Sequence, residues 1–323
     1  MNRLLLAASA LLLSHITAGA QVAATSPAAQ AAPAASSPLP SGRQARLVPT
    51  ACPGDIEPGF PADDPDVRLL PDSTLNIMFH GNRFVAAAEL VDAFQRLNPG
   101  QRVSYTSVPP AFTIQTLETG TFTTGNSPVR FSPDLVMGNA FMGKALADPE
   151  TKAPAAPGVF YSRIHGLVLV GRAGDPKLAS RDVFKILNDP AVRVLLPTVQ
   201  NNAHPLSVVV FAAVKGLTPA NITENKRFGA SQLRHHRSIP ARLLAQCEDV
   251  GFQFLQSQPF LEAKYPGKFQ FLPYGIDADT ASNEDSYAYV LTNSKRRAAA
   301  ENFTAFLTSP EAVAILRRYR LEP

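Results

Sequence analysis

Short apolar runs alternate with amphipathic segments through the first folded part of the chain. The predicted order is strand 75–79, helix 84–97, strand 103–108, helix 111–119 and strand 134–137. In the first helix, apolar residues recur at spacings of three and four, as on the buried face of an amphipathic helix. This alternation is typical of an open parallel sheet with helices on its faces.

A second series of elements follows. It comprises strands 166–171, 192–196, 250–254, 269–272 and 286–291, and helices 180–187, 206–215, 239–246, 295–307 and 310–319. We expect Ser180 to cap the first of these helices, with Asp182 in its first turn. Pro310 stands at the favoured first position of the last helix.

The N-terminus has the pattern of a cleaved export signal. Arg3 precedes residues 4–13, which are apolar except for Ser9, and a small-x-small pattern ends at Ala20. The run is too short to span a bilayer and fits a secretory signal peptide. We predict residues 1–20 as a signal peptide and a periplasmic location. Residues 21–72, rich in Ala and Pro, predict a flexible segment.

Composition narrows the function classes. The chain has 30 Lys and Arg against 26 Asp and Glu, a net charge of +4, and no Trp. Because these charges are scattered, we expect no nucleic-acid partner. The two cysteines, Cys52 and Cys247, predict a disulfide in an oxidising compartment, although two unpaired thiols are the alternative.

Polar loops follow four of the predicted strands. They cover residues 80–83, 107–113, 138–139 and 200–204. Ligands of open parallel sheets bind beyond the carboxyl ends of the strands. Each loop also leads into a predicted helix, whose N-terminal N–H groups favour an anion. We therefore expect a small oxyanion or carboxylate-bearing solute at these loops.

The candidate ligand-binding side chains are polar or aromatic, and several are uncharged. They are His80, Asn82, Ser107, Thr113, Asn139, Asn201, Asn202, His204, Phe254 and Tyr287. The alternative for each asparagine is a turn or helix cap. The alternative for each histidine is a packing or loop-shaping role, and for Tyr287 a place in the core. We expect no metal site and no cofactor.

Three segments carry a resemblance to a known family. Residues 303–323 read FTAFLTSPEAVAILRRYRLEP, residues 189–195 read DPAVRVL, and residues 249–252 read DVGF. These segments, together with the order of the predicted elements, resemble the periplasmic molybdate-binding proteins of ABC transporters. They also resemble the wider superfamily of type II, two-lobed solute-binding proteins. The resemblance implies an α/β fold of two lobes, each a mostly parallel sheet flanked by helices.

The same resemblance implies a division of the chain and a set of partners. The first lobe would comprise residues 73–163 and 274–323, and the second would comprise residues 164–273. A monomer would capture its solute in the cleft between the lobes and deliver it to the membrane permease of an ABC transporter.

The family's binding-loop residues are altered in this sequence. Asn82 stands where the family has a first serine, and only Ser107 or Thr113 could supply the second hydroxyl. Phe254 replaces a family tyrosine and cannot donate a hydrogen bond. We therefore predict that molybdate is not the best ligand.

Two other functions remain open at this point. A ligand sensor could use the same scaffold without a transporter. A cofactor-free hydrolase is the enzyme alternative, because catalytic triads assemble in space rather than in sequence. The common nucleophile, zinc and phosphate-loop motifs do not occur in the chain. A non-enzymatic solute-binding protein is the main prediction.

Overall fold

The computed structural model describes residues 67–124, 127–148, 154–195, 214, 228–229, 238–274 and 284–323. The strands are β1 Val67–Arg68, β2 Leu75–His80, β3 Val103–Val108, β4 Thr121–Thr124, β5 Ser127–Arg130, β6 Leu135–Gly138, β7 Val159–Ile164, β8 Leu167–Arg172, β9 Val194–Leu195, β10 Phe228–Gly229, β11 Val250–Phe254, β12 Phe269–Tyr274, β13 Glu284–Val290 and β14 Leu321–Glu322. The helices are α1 Phe84–Leu97, α2 Pro110–Thr119, α3 Ala140–Ala147, α4 Val183–Asn188, α5 Ser238–Leu244, α6 Ser257–Lys264, α7 Arg297–Phe306 and α8 Pro310–Arg318.

The larger sheet, as far as it is described, has seven strands in the order β1-β3-β2-β6-β13-β7-β14. Strand β2 pairs in parallel with β3 and with β6. Every other neighbouring pair of this sheet is antiparallel. The expected α/β class is confirmed, but the sheet is mixed rather than mostly parallel. The reason is that β13 returns from late in the chain and inserts between β6 and β7.

The second sheet has the order β10-β9-β11-β8-β12 within the described residues. It too is mixed, with β9 parallel to β10 and β11, and β8 antiparallel to β11 and β12. The expectation of a mostly parallel sheet therefore does not hold here either. A small hairpin of β4 and β5, which the apolar pattern did not predict, forms a separate two-stranded sheet, and Phe122 of β4 packs with Met78 of β2 and Val108 of β3.

The chain passes between the two sheets at a short junction. Strand β7 ends at Ile164 and β8 begins at Leu167, with Gly166 at φ 63° between them. Ile164 is paired with Glu284, and Leu167 is paired with both Phe254 and Tyr274. The ends of β11, β12 and β13 therefore meet at this junction, where the two sheets adjoin.

The apolar pattern located several elements of the first sheet correctly, but it did not predict β7, α3 or α6. Helix α1 has the predicted limits of Phe84 and Leu97, and its buried face packs in the same core as β2 and β3. Phe94 of this helix stacks edge-on against Phe303 of α7, with ring centroids 5.0 Å apart. Such aromatic contacts hold α1 in position, and they therefore also position the loop between β2 and α1.

One predicted helix start was wrong. Helix α4 is capped by Asp182, whose side chain accepts a hydrogen bond from the Lys185 backbone nitrogen, and not by Ser180. Arg181 has φ 54°, in the left-handed region. A helix cannot continue through that conformation, so α4 begins after it. The predicted helix 206–215 lies largely outside the described residues.

Candidate functional site

Three of the predicted loops meet at the carboxyl ends of β2, β3 and β6. His80 is the last residue of β2, and Gly81 follows it. A Cβ on Gly81 would lie 3.2 Å from the backbone nitrogen of Pro109, so the first loop packs tightly on the second. Asn139 follows β6 and caps α3, its side-chain oxygen accepting from the Met142 backbone nitrogen at 3.1 Å. The cap role that the sequence left open for Asn139 is thus observed.

A carboxylate from β13 lies among these loops. Glu284 Oε2 accepts a hydrogen bond from Asn82 Nδ2 at 2.7 Å and lies 3.3 Å from a guanidinium nitrogen of Arg83. Glu284 Oε1 accepts from the side-chain nitrogen of Asn139. Two predicted ligand residues, Asn82 and Asn139, are therefore held in place by one acidic side chain of the protein itself.

The environment keeps Glu284 ionised. Burial by itself would raise its pKa, because a charged carboxylate is poorly solvated there. The positive charge of Arg83 and hydrogen bonds from Asn139 and Asn82 outweigh that effect, and the pKa of Glu284 falls to about 2. At neutral pH the cluster thus contains one fixed negative charge beside one fixed positive charge.

His80 is part of the same cluster. Its side chain is 8 % exposed, and Nδ1 lies 2.7 Å from Asn82 Oδ1. Burial lowers the pKa of His80, and nearby Arg83 lowers it further against the opposing effect of Glu284. The imidazole is therefore neutral at pH 7. Its Nε2 is buried and has no hydrogen-bond partner among the described residues.

Arg83 is the most deeply buried charged group of the cluster, at 2 % exposure. One terminal nitrogen donates to Asn82 Oδ1 at 2.5 Å and contacts Glu284. Among the residues that the structure describes, the other two nitrogens, Nε and Nη2, are buried and have no acceptor in good hydrogen-bond geometry. Burial raises the pKa of the neighbouring Tyr161 hydroxyl, and the charge of Arg83 and hydrogen bonding to Arg83 and Ser286 act in the opposite direction. An arginine normally satisfies all of its donors well, so Arg83 can accommodate a further acceptor here.

The second sheet contributes one residue to the cluster. Gln256 follows β11, and its side-chain nitrogen donates to the backbone oxygen of Asn82 at 3.0 Å. Its side-chain oxygen is buried and has no donor among the residues that the structure describes. Because Gln256 and Asn82 follow strands of different sheets, this bond joins the two parts of the molecule at the site.

The remaining predicted side chains have other surroundings. Ser107 and Thr113 are buried, and their hydroxyls donate to the backbone oxygens of His80 at 3.1 Å and of Pro109 at 3.5 Å. Phe254 is buried at the end of β11. Tyr287 packs edge-on against Phe160. Asn201, Asn202 and His204 lie outside the described residues.

Three residues of the cluster were missed by the sequence reasoning. Arg83 was predicted only as part of the polar loop 80–83 and not as a ligand-binding residue. Glu284 and Gln256 were not among the predicted site residues. Glu284 lies 202 positions from Asn82 in the chain, and Gln256 lies 174 positions from it. Only the pairing of the late strands could have placed them here. Arg83 did carry a signal, since an arginine within a loop that leads from a buried strand into a helix suits anion binding.

The described residues lack two other kinds of feature. They contain no group of three or more His, Cys, Asp and Glu side chains placed to hold a metal ion. Nor does any helix among them have the length and apolar character of a membrane span.

Most of the chain matches a protein-family model. The model describes bacterial extracellular solute-binding proteins, and the match runs over residues 75–320. The chain belongs to this family. Members of this family bind solutes, so the cluster around Glu284 is a candidate solute-binding site. Among curated proteins, none matches this solute-binding protein in sequence.

Solved structures share the fold of this solute-binding protein. The periplasmic molybdate-binding protein of Azotobacter vinelandii is 17 % identical, with a TM-score of 0.56 over 77 % of this chain and 99 % of its own. PEB3 of Campylobacter jejuni, in its L-phospholactate-bound form, is 12 % identical, with a TM-score of 0.50 over 77 % and 99 %. Both likenesses support the two-lobed binding-protein fold that the sequence resemblance implied.

Two predictions about the N-terminal part stay predictions. The signal peptide of residues 1–20 and the segment 21–72, apart from its last residues, lie outside the described part of the chain. So does Cys52, the proposed disulfide partner of Cys247. Cys247 itself is buried in the second-sheet region, just before β11.

Proposed function

We propose that this protein is exported to the periplasm, captures a small anionic solute between its two lobes and delivers it to an ABC permease. The ligand would bind beside His80, Asn82, Arg83 and Asn139, with Gln256 contributing from the other lobe. The lobes would comprise residues 73–163 with 274–323, and residues 164–273.

One observation carries this proposal. Arg83 is buried, yet two of its guanidinium nitrogens have no acceptor in good hydrogen-bond geometry within the described part of the chain. An unsatisfied buried donor costs about 1–3 kcal/mol, and more when it is charged. An anionic oxygen of a ligand would supply the missing acceptor through a charge-assisted hydrogen bond. The family membership of the chain makes a solute the natural source of that oxygen.

The loops provide a suitable setting for such an anion. Helices α1 and α3 begin beside the cluster, and their N-termini contribute partial positive charge. The position at the meeting point of the two sheets would allow lobe closure to exclude water from the ligand. In a water-poor site each ionic hydrogen bond is stronger than it is in bulk solvent.

Isothermal titration of the purified mature protein would test this proposal. The panel would contain phosphate, sulfate, molybdate, L-lactate and propionate. We expect at least one of these anions to bind, and Arg83→Met to weaken its binding by at least about 100-fold. The matched control is Arg102→Met, because Arg102 is exposed and pairs with Asp72 at the surface. Circular dichroism would establish that both variants are folded.

Two results would count against the proposal. If none of the anions binds, the anionic ligand class is wrong. If Arg83→Met is folded and binds the same anion as tightly as Arg102→Met does, the site is wrong.

A further inference from the structure

The hydrogen-bond pattern around Asn82 fixes the protonation of His80. Arginine can only donate hydrogen bonds, so the Asn82 atom 2.5 Å from Arg83 must be the amide oxygen. That same oxygen lies 2.7 Å from His80 Nδ1. His80 Nδ1 must therefore carry the proton in this bond. In the neutral imidazole, Nε2 is then an acceptor with a free lone pair.

This lone pair has no donor among the residues that the structure describes. Within that part of the chain, His80 Nε2 is buried and has no hydrogen-bond partner. A second acceptor in the same condition is Gln256 Oε1, since the nitrogen of that amide is used by the backbone oxygen of Asn82 at 3.0 Å. The cluster thus combines unsatisfied donors on Arg83 with unsatisfied acceptors on His80 and Gln256.

A ligand that satisfies both kinds of group must offer both kinds of atom. Anionic oxygens would accept from Arg83, and a hydroxyl or protonated oxygen would donate to His80 or Gln256. We propose that the site selects anions that carry an O–H donor, such as hydrogen phosphate, phosphonates and hydroxy acids, over anions that carry none. This inference rests on the proposed function and names the ligand class of the same site.

Glu284 strengthens the discrimination. Its carboxylate occupies donors of Asn82 and Asn139 and places a negative charge beside the ligand position. A fully deprotonated anion such as sulfate or molybdate has no proton to donate towards that carboxylate and would also leave His80 Nε2 unpaired. A site that hydrogen-bonds a substrate hydroxyl rejects the analogue that lacks it, because its buried polar groups are then left unsatisfied.

The test compares matched pairs of anions by isothermal titration at pH 7. Phosphate and sulfate share a tetrahedral shape, but only phosphate carries a proton. L-Lactate and propionate are both small carboxylates, but only lactate has a hydroxyl. We expect the donor-bearing member of the better-bound pair to bind about 10- to 100-fold more tightly than its partner.

Two variants at His80 locate the effect. His80→Asn keeps an N–H donor near Asn82 and removes the distal acceptor. The ratio of the dissociation constants of the two anions in a pair should therefore fall towards one. His80→Gln places an amide oxygen near the position of Nε2 and should retain part of the preference. The control is His165→Asn, because that ring lies 2.8 Å from Glu322 and lines a cavity of about 430 Å³ whose lining includes no residue of the cluster. Its preference should equal that of the wild type.

The outcomes separate this inference from the proposed function. If no anion binds, the proposed function fails and the inference fails with it. If anions bind but the members of each pair bind equally, or if folded His80→Asn keeps the wild-type preference, only the inference is overturned. A buried water as the sole donor to Nε2 would give that second result.

Discussion

Two carboxylates of this protein, those of the buried Asp249 and the partly exposed Glu284, have similar acidity but different surroundings. Asp249, at the start of the β11 region, accepts from Lys177 Nζ at 2.7 Å and from the Arg193 backbone and side chain at 2.8 and 3.0 Å. Burial would raise its pKa, but the bonds from Arg193 and Lys177 prevail and lower it to about 2. The pKa of Glu284 is also about 2. Both carboxylates are therefore ionised at neutral pH.

The difference lies in the atoms around them. The nitrogens that hold Asp249 have no unsatisfied buried atom among them, whereas the Glu284 cluster leaves atoms of His80, Arg83 and Gln256 without partners. A complete buried network stabilises a fold, and an incomplete one costs free energy until something completes it. We infer that the Asp249 cluster serves the fold and that the Glu284 cluster is prepared for a ligand.

Asp249→Ala gives the largest expected effect. The change takes the acceptor from the Arg193 backbone N–H and from the partly exposed Arg193 and Lys177 side chains, which water can solvate again, so the expected loss of unfolding free energy is about 3 kcal/mol. Urea denaturation would measure this loss. Titration of the folded variant should return the wild-type dissociation constant for the best-bound anion. A changed dissociation constant with unchanged stability would contradict the division between the two clusters.

The loops around Glu284 show what the sequence could predict. His80, Asn82 and Asn139 were found because the ends of parallel strands place their loops together. The limits of α1 followed from its apolar spacing, and so did the all-buried strand β3. These are consequences of local pattern alone.

The missed features depend on pairing between distant segments. Glu284 reaches the cluster because β13 inserts antiparallel between β6 and β7, and Gln256 because β11 pairs with β8. No local pattern specifies such neighbours. The hydroxyls of Ser107 and Thr113 donate to backbone oxygens near them, an arrangement that competes with ligand contact and that residue type alone does not reveal.

Glu284→Gln should show its effect mainly above pH 4.5. A carboxylate with a folded pKa of about 2 and an ordinary value of 4.5 stabilises the folded state above pH 4.5 and loses that contribution as the pH falls towards 2. The difference in unfolding free energy from the wild type should be about 3 kcal/mol at pH 6 and less than about 1 kcal/mol at pH 2.5. Urea denaturation at several pH values would measure it, and a difference independent of pH would refute the assignment.

The predicted Cys52–Cys247 disulfide would stabilise the part of the molecule that contains Asp249. Cys247 precedes Asp249 by two positions and is buried. We expect no free thiol in the unreduced, unfolded protein, and reduction should lower the unfolding free energy by about 2 kcal/mol or more. Anion affinity should not change. Two labelled thiols per chain would rule the bond out, and Cys52→Ser would serve as the control for reduction.

Gln256→Met gives the smallest expected change in stability, and it reverses the pattern of Asp249→Ala. The variant loses the bond to the Asn82 backbone oxygen, worth about 1 kcal/mol, but it also removes a buried oxygen that has no donor. These terms oppose each other, so the unfolding free energy of the unliganded protein should change by less than about 1 kcal/mol. Affinity for the best-bound anion should nevertheless fall about 10-fold, because an acceptor for the ligand and the link between the sheets are both lost. The control is Gln258→Met, since Gln258 pairs with Glu262 at the surface and should affect neither quantity. A loss of more than about 2 kcal/mol of stability with unchanged affinity would place Gln256 with the structural residues, beside Asp249.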